Sequence, residues 1–161
     1  MIDIAYNELM EQVRRGAFLT IASKTGVNTM TIGWFQVGFF WGREVMTVGV
    51  RPSRHTFSFI EENPFFSVTI PESRQFKKEL AFCGTKSGRD YDKFDICNLP
   101  VQYYGEEHIP YVAIPGEHLF GMTVNTSVMD SSQTDSSLDK YYKDGDYHTL
   151  YMAETIGHLK V

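Results

Sequence analysis

Three short stretches of the chain concentrate the residues able to do chemistry. Asn28-Thr29-Met30-Thr31-Ile32-Gly33-Trp34 sets hydroxyl and amide groups, a glycine and an indole in one β-prone run. A strand edge offers alternating N–H and C=O groups, Thr and Asn add hydrogen bonds, and Trp adds a flat apolar wall. Together these suit a planar heterocycle whose rim is polar and whose faces are not. The same residues also suit an ordinary barrel strand with Thr on its outer side. In Val50-Arg51-Pro52-Ser53-Arg54-His55-Thr56 a strand ends, Pro52 sets a turn and a helix begins. Helix N-termini expose unpaired N–H groups that favour anions, and Arg51 and Arg54 can add forked bonds to phosphate, with hydroxyls from Ser53 and Thr56. A capped surface helix with solvated arginines is the other reading. In Thr85-Lys86-Ser87-Gly88-Arg89-Asp90-Tyr91-Asp92-Lys93-Phe94, the donors of Ser87, Gly88 and Arg89 can wrap a phosphate, and Lys93 can reach the same anion or the ring. Asp90 and Asp92 could instead tie the basic groups into surface ion pairs.

The balance of 15 Lys+Arg against 20 Asp+Glu gives a net charge of -5, which excludes a general binder of nucleic-acid backbones. Arg51, Arg54, Lys86, Arg89 and Lys93 still fall in two short stretches able to form one anion site in an acidic protein. His55, His108, His118, His148 and His158 are scattered without a ligand spacing, so no metal site is expected. Cys83 and Cys97 form no Cys-x-x-Cys and are read as reduced thiols. No Gly-x-Gly-x-x-Gly or Walker-type loop follows a strand, which argues against a Rossmann or P-loop site. The N-terminus has no basic region followed by an apolar run, and no apolar stretch reaches the roughly 20 residues that cross a bilayer. A cytoplasmic protein without membrane association is the expectation.

These groups need a rigid frame. At 161 residues, 42% of them hydrophobic and 12 of them Phe, the chain suits a single domain over residues 1–161. Asp3 can cap a first helix with Tyr6, Leu9, Met10 and Val13 on one face and Gly16 as its stop. Short β-prone runs follow at Phe18–Ser23, Met30–Phe35, Val45–Val50 and Phe65–Ile70. Ser53 can cap a second helix that ends at Asn63 before Pro64, and Ser73 a third that stops at Gly84. Asp90–Phe94 suits a short turn. Leu119–Val128 and Tyr147–Ala153 read as strands, separated by a long polar loop over Asp130–Gly145. The fold expected is mainly β with flanking helices, an antiparallel barrel.

In this order, Asn-Thr-Met-Thr-Ile-Gly-Trp, Arg-Pro-Ser-Arg-His-Thr and Ser-Gly-Arg-Asp-Tyr-Asp-Lys-Phe resemble the flavin reductase-like family of FMN-binding split barrels, which includes flavoredoxins. The resemblance spans Phe18 to Phe94 and resumes at Asp146–Tyr151. It implies a Greek-key split barrel that forms a homodimer with one FMN per subunit, reduced by NADH or NADPH with hydride transfer to N5. Electrons would then pass to an unknown acceptor, including a redox partner protein. By motif position, Asn28, Thr29, Met30, Thr31 and Trp34 would surround the ring. Arg51, Ser53, Arg54 and Thr56 would hold the ribityl phosphate, and Ser87, Gly88, Arg89 and Lys93 would close over it, with Lys93 or a backbone N–H near N1. His148 matches a family Gly-Asp-His, here interrupted by Tyr147. No side chain is assigned a catalytic role. The sequence ends soon after that strand, where family members continue through a covering segment, and Gln36 and Phe39-Phe40-Trp41 replace small residues. Both departures bear on nicotinamide access. An electron carrier with tightly bound FMN, and a non-enzymatic ligand-binding barrel, are the alternative readings.

Overall fold

The computed structural model describes Ile4, residues 6–72 and residues 75–161. The expected caps Asp3 and Ser73, and the side chain of Tyr6, lie outside them. Helix α1 (Tyr6–Val13) leads into β1 (Ala17–Ser23), β2 (Gly26–Ile32), β3 (Phe35–Phe40) and β4 (Arg43–Val50). After α2 (His55–Glu62) come β5 (Phe65–Pro71), α3 (Lys77–Thr85), α4 (Lys93–Ile96), the hairpin β6 (Val101–Tyr104) and β7 (Ile109–Val112), and the long pair β8 (Gly116–Val128) and β9 (Thr149–Lys160).

Seven strands form one antiparallel sheet in the order β2-β1-β5-β8-β9-β4-β3. β2 and β3 lie at opposite ends of that order, yet only Gly33 and Trp34 join them. Three peptide links reach at most about 11 Å, so the two ends must meet and the sheet must curl into a barrel. Side-chain alternation fills it. Leu19 and Ile21 of β1, Met46, Val48 and Val50 of β4, and Phe66, Val68 and Ile70 of β5 enter one buried cluster. The intervening Ser67 and Thr69 point outward and donate to the carbonyls of Pro110 and Val112, which fastens β7 over β5. Gly121 sits inside the curl, where a Cβ would collide with Met46 Cε and with Ala153 Cβ. Only a side chain without a Cβ lets those strands approach, and the β8–β9 register shifts at the same place.

Several boundaries differ from the sequence reading. The run Met30–Phe35 is broken at Gly33–Trp34, because the chain there crosses the split instead of continuing one strand. Ser53 does not cap α2; Arg54 occupies the cap position without a side-chain cap. Gly84 does not stop α3, which runs on to Thr85. At the end of α2, Asn63 donates to Ala22 O at 3.1 Å and accepts from Phe65 N at 3.0 Å, tying the helix to β1 and β5. Asn63→Ala is expected to cost about 1–2 kcal/mol in urea unfolding. An unchanged midpoint would show that these two bonds contribute nothing.

Candidate functional site

β2 is the last strand of the sheet order, so the backbone groups of its outer edge are not used by a sheet neighbour. That edge borders a cleft of about 220 Å³, walled by Met30, Thr31, Trp34, Gly49, Arg51, Arg54 and His148. Trp34, 42% exposed, lies with its indole 4.3 Å from the His148 ring and meets Tyr141 edge-on at 5.5 Å. A second hollow of about 170 Å³ adjoins the first through Met30 and Arg54. Ser53, His55, Ser87, Gly88 and Arg89 surround it, and the N-terminus of α2, with no side-chain cap, opens onto it. The three stretches singled out in the sequence therefore converge on two connected hollows.

Not every expected group is free to serve there. Asn28 Nδ2 donates to Thr56 Oγ1 at 2.8 Å, and both residues are buried. Thr29 is fully buried, bonded to Leu19 O and Thr20 Oγ1, and Thr31 Oγ1 donates to Leu80 O at 2.6 Å. Lys93 is 3% exposed and donates from Nζ to Thr29 O (2.9 Å) and Cys83 O (3.1 Å). Burial pushes its pKa down to about 8, with Cys83 opposing and Arg54 assisting. In this arrangement Lys93 braces β2 against α3. Ser53 offers its N–H and Oγ to Asp146, at 3.1 and 2.5 Å.

Arg54 and Arg89 remain aimed at the hollows. The Arg54 guanidinium donates to Gly84 O at 2.8 Å, and burial with nearby Arg51 lowers its pKa. Arg89 Nη1 lies 3.4 Å from Ser53 O. Arg51 is placed differently from the phosphate role expected of it. It donates to Tyr141 O at 2.7 Å and its guanidinium lies 5.1 Å over the Tyr142 ring, so it faces the cleft of Trp34 and anchors the segment 130–146 there. The stretch Asp130–Gly145, expected as a long polar loop, contains two 3-10 turns, Ser131–Gln133 and Ser136–Tyr141, each started by an Asp side chain. His148 accepts or donates at Nδ1 with Tyr142 Oη, 2.8 Å away. Its burial, reinforced by Arg51 and opposed by Asp146, depresses its pKa to about 4. The ring is neutral at physiological pH.

Gly88 is required where it stands, since a Cβ there would overlap Asn28 Oδ1 and come within 3.0 Å of His55 Cδ2. Gly49, Gly84 and Asp146 were not singled out as site residues. Nothing distinguishes the two glycines in sequence from those of ordinary turns; Asp146 carried a signal in its place before His148. Among the described residues no group of His, Cys, Asp and Glu is placed to hold a metal, and no helix is long and apolar enough to cross a membrane.

No protein-family profile and no curated protein sequence match this chain. Solved structures do. A flavoredoxin from Methanosarcina acetivorans superposes with a TM-score of 0.72 at 24% identity, covering 100% of this chain and 75% of that one. An FMN-binding protein from Thermus thermophilus with bound p-hydroxybenzaldehyde gives 0.71 at 17%, over 91% and 71% of the two chains. The NADH:FAD oxidoreductase of Streptomyces globisporus C-1027 gives 0.68 at 16%, over 100% and 87%. The curled antiparallel sheet, its split between β2 and β3 and these superpositions agree: this chain has the split-barrel fold of the FMN-binding proteins that include flavoredoxins and flavin reductase-like enzymes.

Proposed function

We propose that this chain, as a single domain, binds FMN and reduces it with NADH or NADPH, passing the electrons to a further acceptor. The observation that carries this reading is the pair of connected hollows sharing Arg54. One has the edge of β2, the Trp34 indole and a neutral imidazole, suited to a planar ring with a polar rim. The other has Arg54, Arg89, the Ser87 hydroxyl and an uncapped helix N-terminus, the donors that a phosphate monoester needs. Ser87 Oγ, which accepts from Arg89 N, holds the turn in shape. The residues present thus fit FMN. Bound there, the flavin would supply two-electron chemistry through hydride transfer at N5.

This chain's own part is orientation and electrostatics. Lys93 keeps β2 and α3 at fixed separation, so the backbone groups of the β2 edge that β1 does not use would meet a ring rim without reorganising. Beside the ring cleft and sharing Trp34, Met129, Leu138, Tyr141 and Tyr142 line an apolar hollow where a nicotinamide or a flat acceptor can approach. Phe39, Phe40 and Trp41 stand 73, 55 and 52% exposed on the β3–β4 hairpin, which supports a homodimer with this face covered.

Freshly purified protein is expected to carry flavin absorbance, or to quench added FMN, and to bleach on anaerobic mixing with NADH or NADPH. Bleaching by dithionite alone would make it an electron carrier instead. Colourless protein that ignores FMN would end the flavin reading.

A further inference from the structure

Cys83 and Cys97 form no motif in the sequence, yet the fold brings their thiols together. Both belong to the cluster that packs α3 and α4 against Phe18 and Val112, with Cys83 fully buried and Cys97 half-buried at its margin. Lys93 sets the spacing from both sides: its carbonyl accepts from Cys97 N at 3.1 Å, and its Nζ donates to Cys83 O at 3.1 Å. The two side chains hydrogen-bond to each other. Cys83 S–H is the donor and Cys97 Sγ the acceptor, because the contact keeps the proton on Cys83 and favours its loss from Cys97.

A third group lies beside the pair. Glu79 stands one turn before Cys83 on α3 and acts electrostatically on both thiols. Its Oε2 is buried and has no hydrogen-bond partner among the described residues. A buried carboxyl oxygen without a donor is costly, and a thiol proton would satisfy it.

These parts divide the work of a dithiol. Cys97 is the half-exposed member, and the neighbouring S–H stabilises its thiolate, so it is the one to meet a reagent from solvent. Burial still raises its pKa, which makes the attack slow beside that of an activated thiol. Cys83 is closed to solvent, and burial holds its pKa up to about 12, so it keeps its proton until a sulfur next to it can be attacked.

We propose that Cys83 and Cys97 are a redox dithiol that small disulfides of the glutathione type oxidise to an intramolecular disulfide. Cys97 Sγ, as thiolate, attacks one sulfur of the reagent, whose S–S bond breaks and expels one thiolate. Cys83 then gives its proton to Glu79 and attacks Cys97 Sγ, which breaks the mixed disulfide and expels the second thiolate. The cysteines together lose two electrons and two protons, and one molecule of reagent leaves as two thiols. Neither cysteine lines the two hollows of the flavin cradle, so this couple goes beyond the flavin reading and is tested apart from it.

Full-length protein, reduced and then held folded in oxidised glutathione without air, tests it by intact mass, by alkylation after unfolding and by peptide mapping. The unsubstituted protein is expected to lose two hydrogens, keep no alkylatable thiol, yield a Cys83–Cys97 peptide pair and recover both thiols with dithiothreitol. Cys83→Ala should stop at one bound glutathionyl group, and Cys97→Ala should stay unmodified. Glu79→Gln should slow closure of the bridge at least about 10-fold, with the mixed disulfide accumulating. A purely structural Glu79 would instead loosen the cluster and speed both steps, which would remove it from the proposal. Two thiols still free after prolonged exposure, arrest of the unsubstituted protein as the mixed disulfide, or chains joined to one another through Cys97 would overturn the dithiol.

Discussion

Replacing Arg54 and Arg89 together with alanine is expected to raise the Kd for FMN at least about 100-fold while changing riboflavin affinity far less. Each guanidinium brings charge-assisted bonds worth about 1.5–3 kcal/mol, and two of them together exceed the roughly 2.7 kcal/mol that a 100-fold change requires. The contrast with riboflavin, which lacks the phosphate, tells a lost anion site from a damaged barrel. Arg54 also donates to Gly84 O, so thermal melting should accompany the titration, and Arg54→Lys keeps the charge if the alanine variant unfolds. Arg51→Ala should behave otherwise. Its guanidinium is bonded to Tyr141 O and faces the Trp34 cleft, so FMN and riboflavin should weaken alike. Equal losses of the two ligands in the Arg54/Arg89 variant would move the phosphate away from the α2 N-terminus.

Acidification should unfold this protein partly through His148. An unfolded histidine takes up a proton near pH 6.5, whereas burial beside Arg51 holds the folded one down to about 4. Between those values the unfolded chain binds more protons than the folded one, so stability rises with pH across that window. It is fully present above 6.5 and is lost as pH falls towards 4. The gap corresponds to about 3 kcal/mol. His118 is buried with a lowered pKa and works in the same direction, so the comparison must be with a variant. His148→Asn keeps an acceptor for Tyr142 Oη and cannot be protonated. Urea unfolding at pH 7 and pH 4.5 should show a smaller acid penalty in the variant, and the His148 ring resonances should titrate near pH 4. A ring that titrates near 6.5 would contradict the buried, neutral imidazole assigned to the cleft wall.

Local pattern carried much of the fold. Alternation in Leu19-Thr20-Ile21 and in Phe66-Ser67-Val68-Thr69-Ile70 marks strands with one face inside, because the period of a strand is set by its own backbone. Pro64 and Asn63 ended α2 for equally local reasons. The β3 strand escaped notice because its alternation is short: Phe35 and Val37 turn to the core between exposed Gln36 and Gly38, but Phe39 and Phe40 then both lie exposed at the tip. The β6–β7 hairpin was missed because its strands are short and owe their place to Ser67 and Thr69 on β5.

The candidate site divides along the same line. Residue types within one stretch announce what they can bond, so the cationic and aromatic groups of residues 28–34, 51–56 and 87–93 were legible as binding chemistry from composition and order. Which of them still have a free hand was not. Lys93 faces two carbonyls, Ser53 faces Asp146, and Arg51 turns to Tyr141, each partner contributed by a distant part of the chain. A donor's nature is a covalent property of its own residue, whereas its availability depends on whichever neighbour folding brings within 3 Å of it.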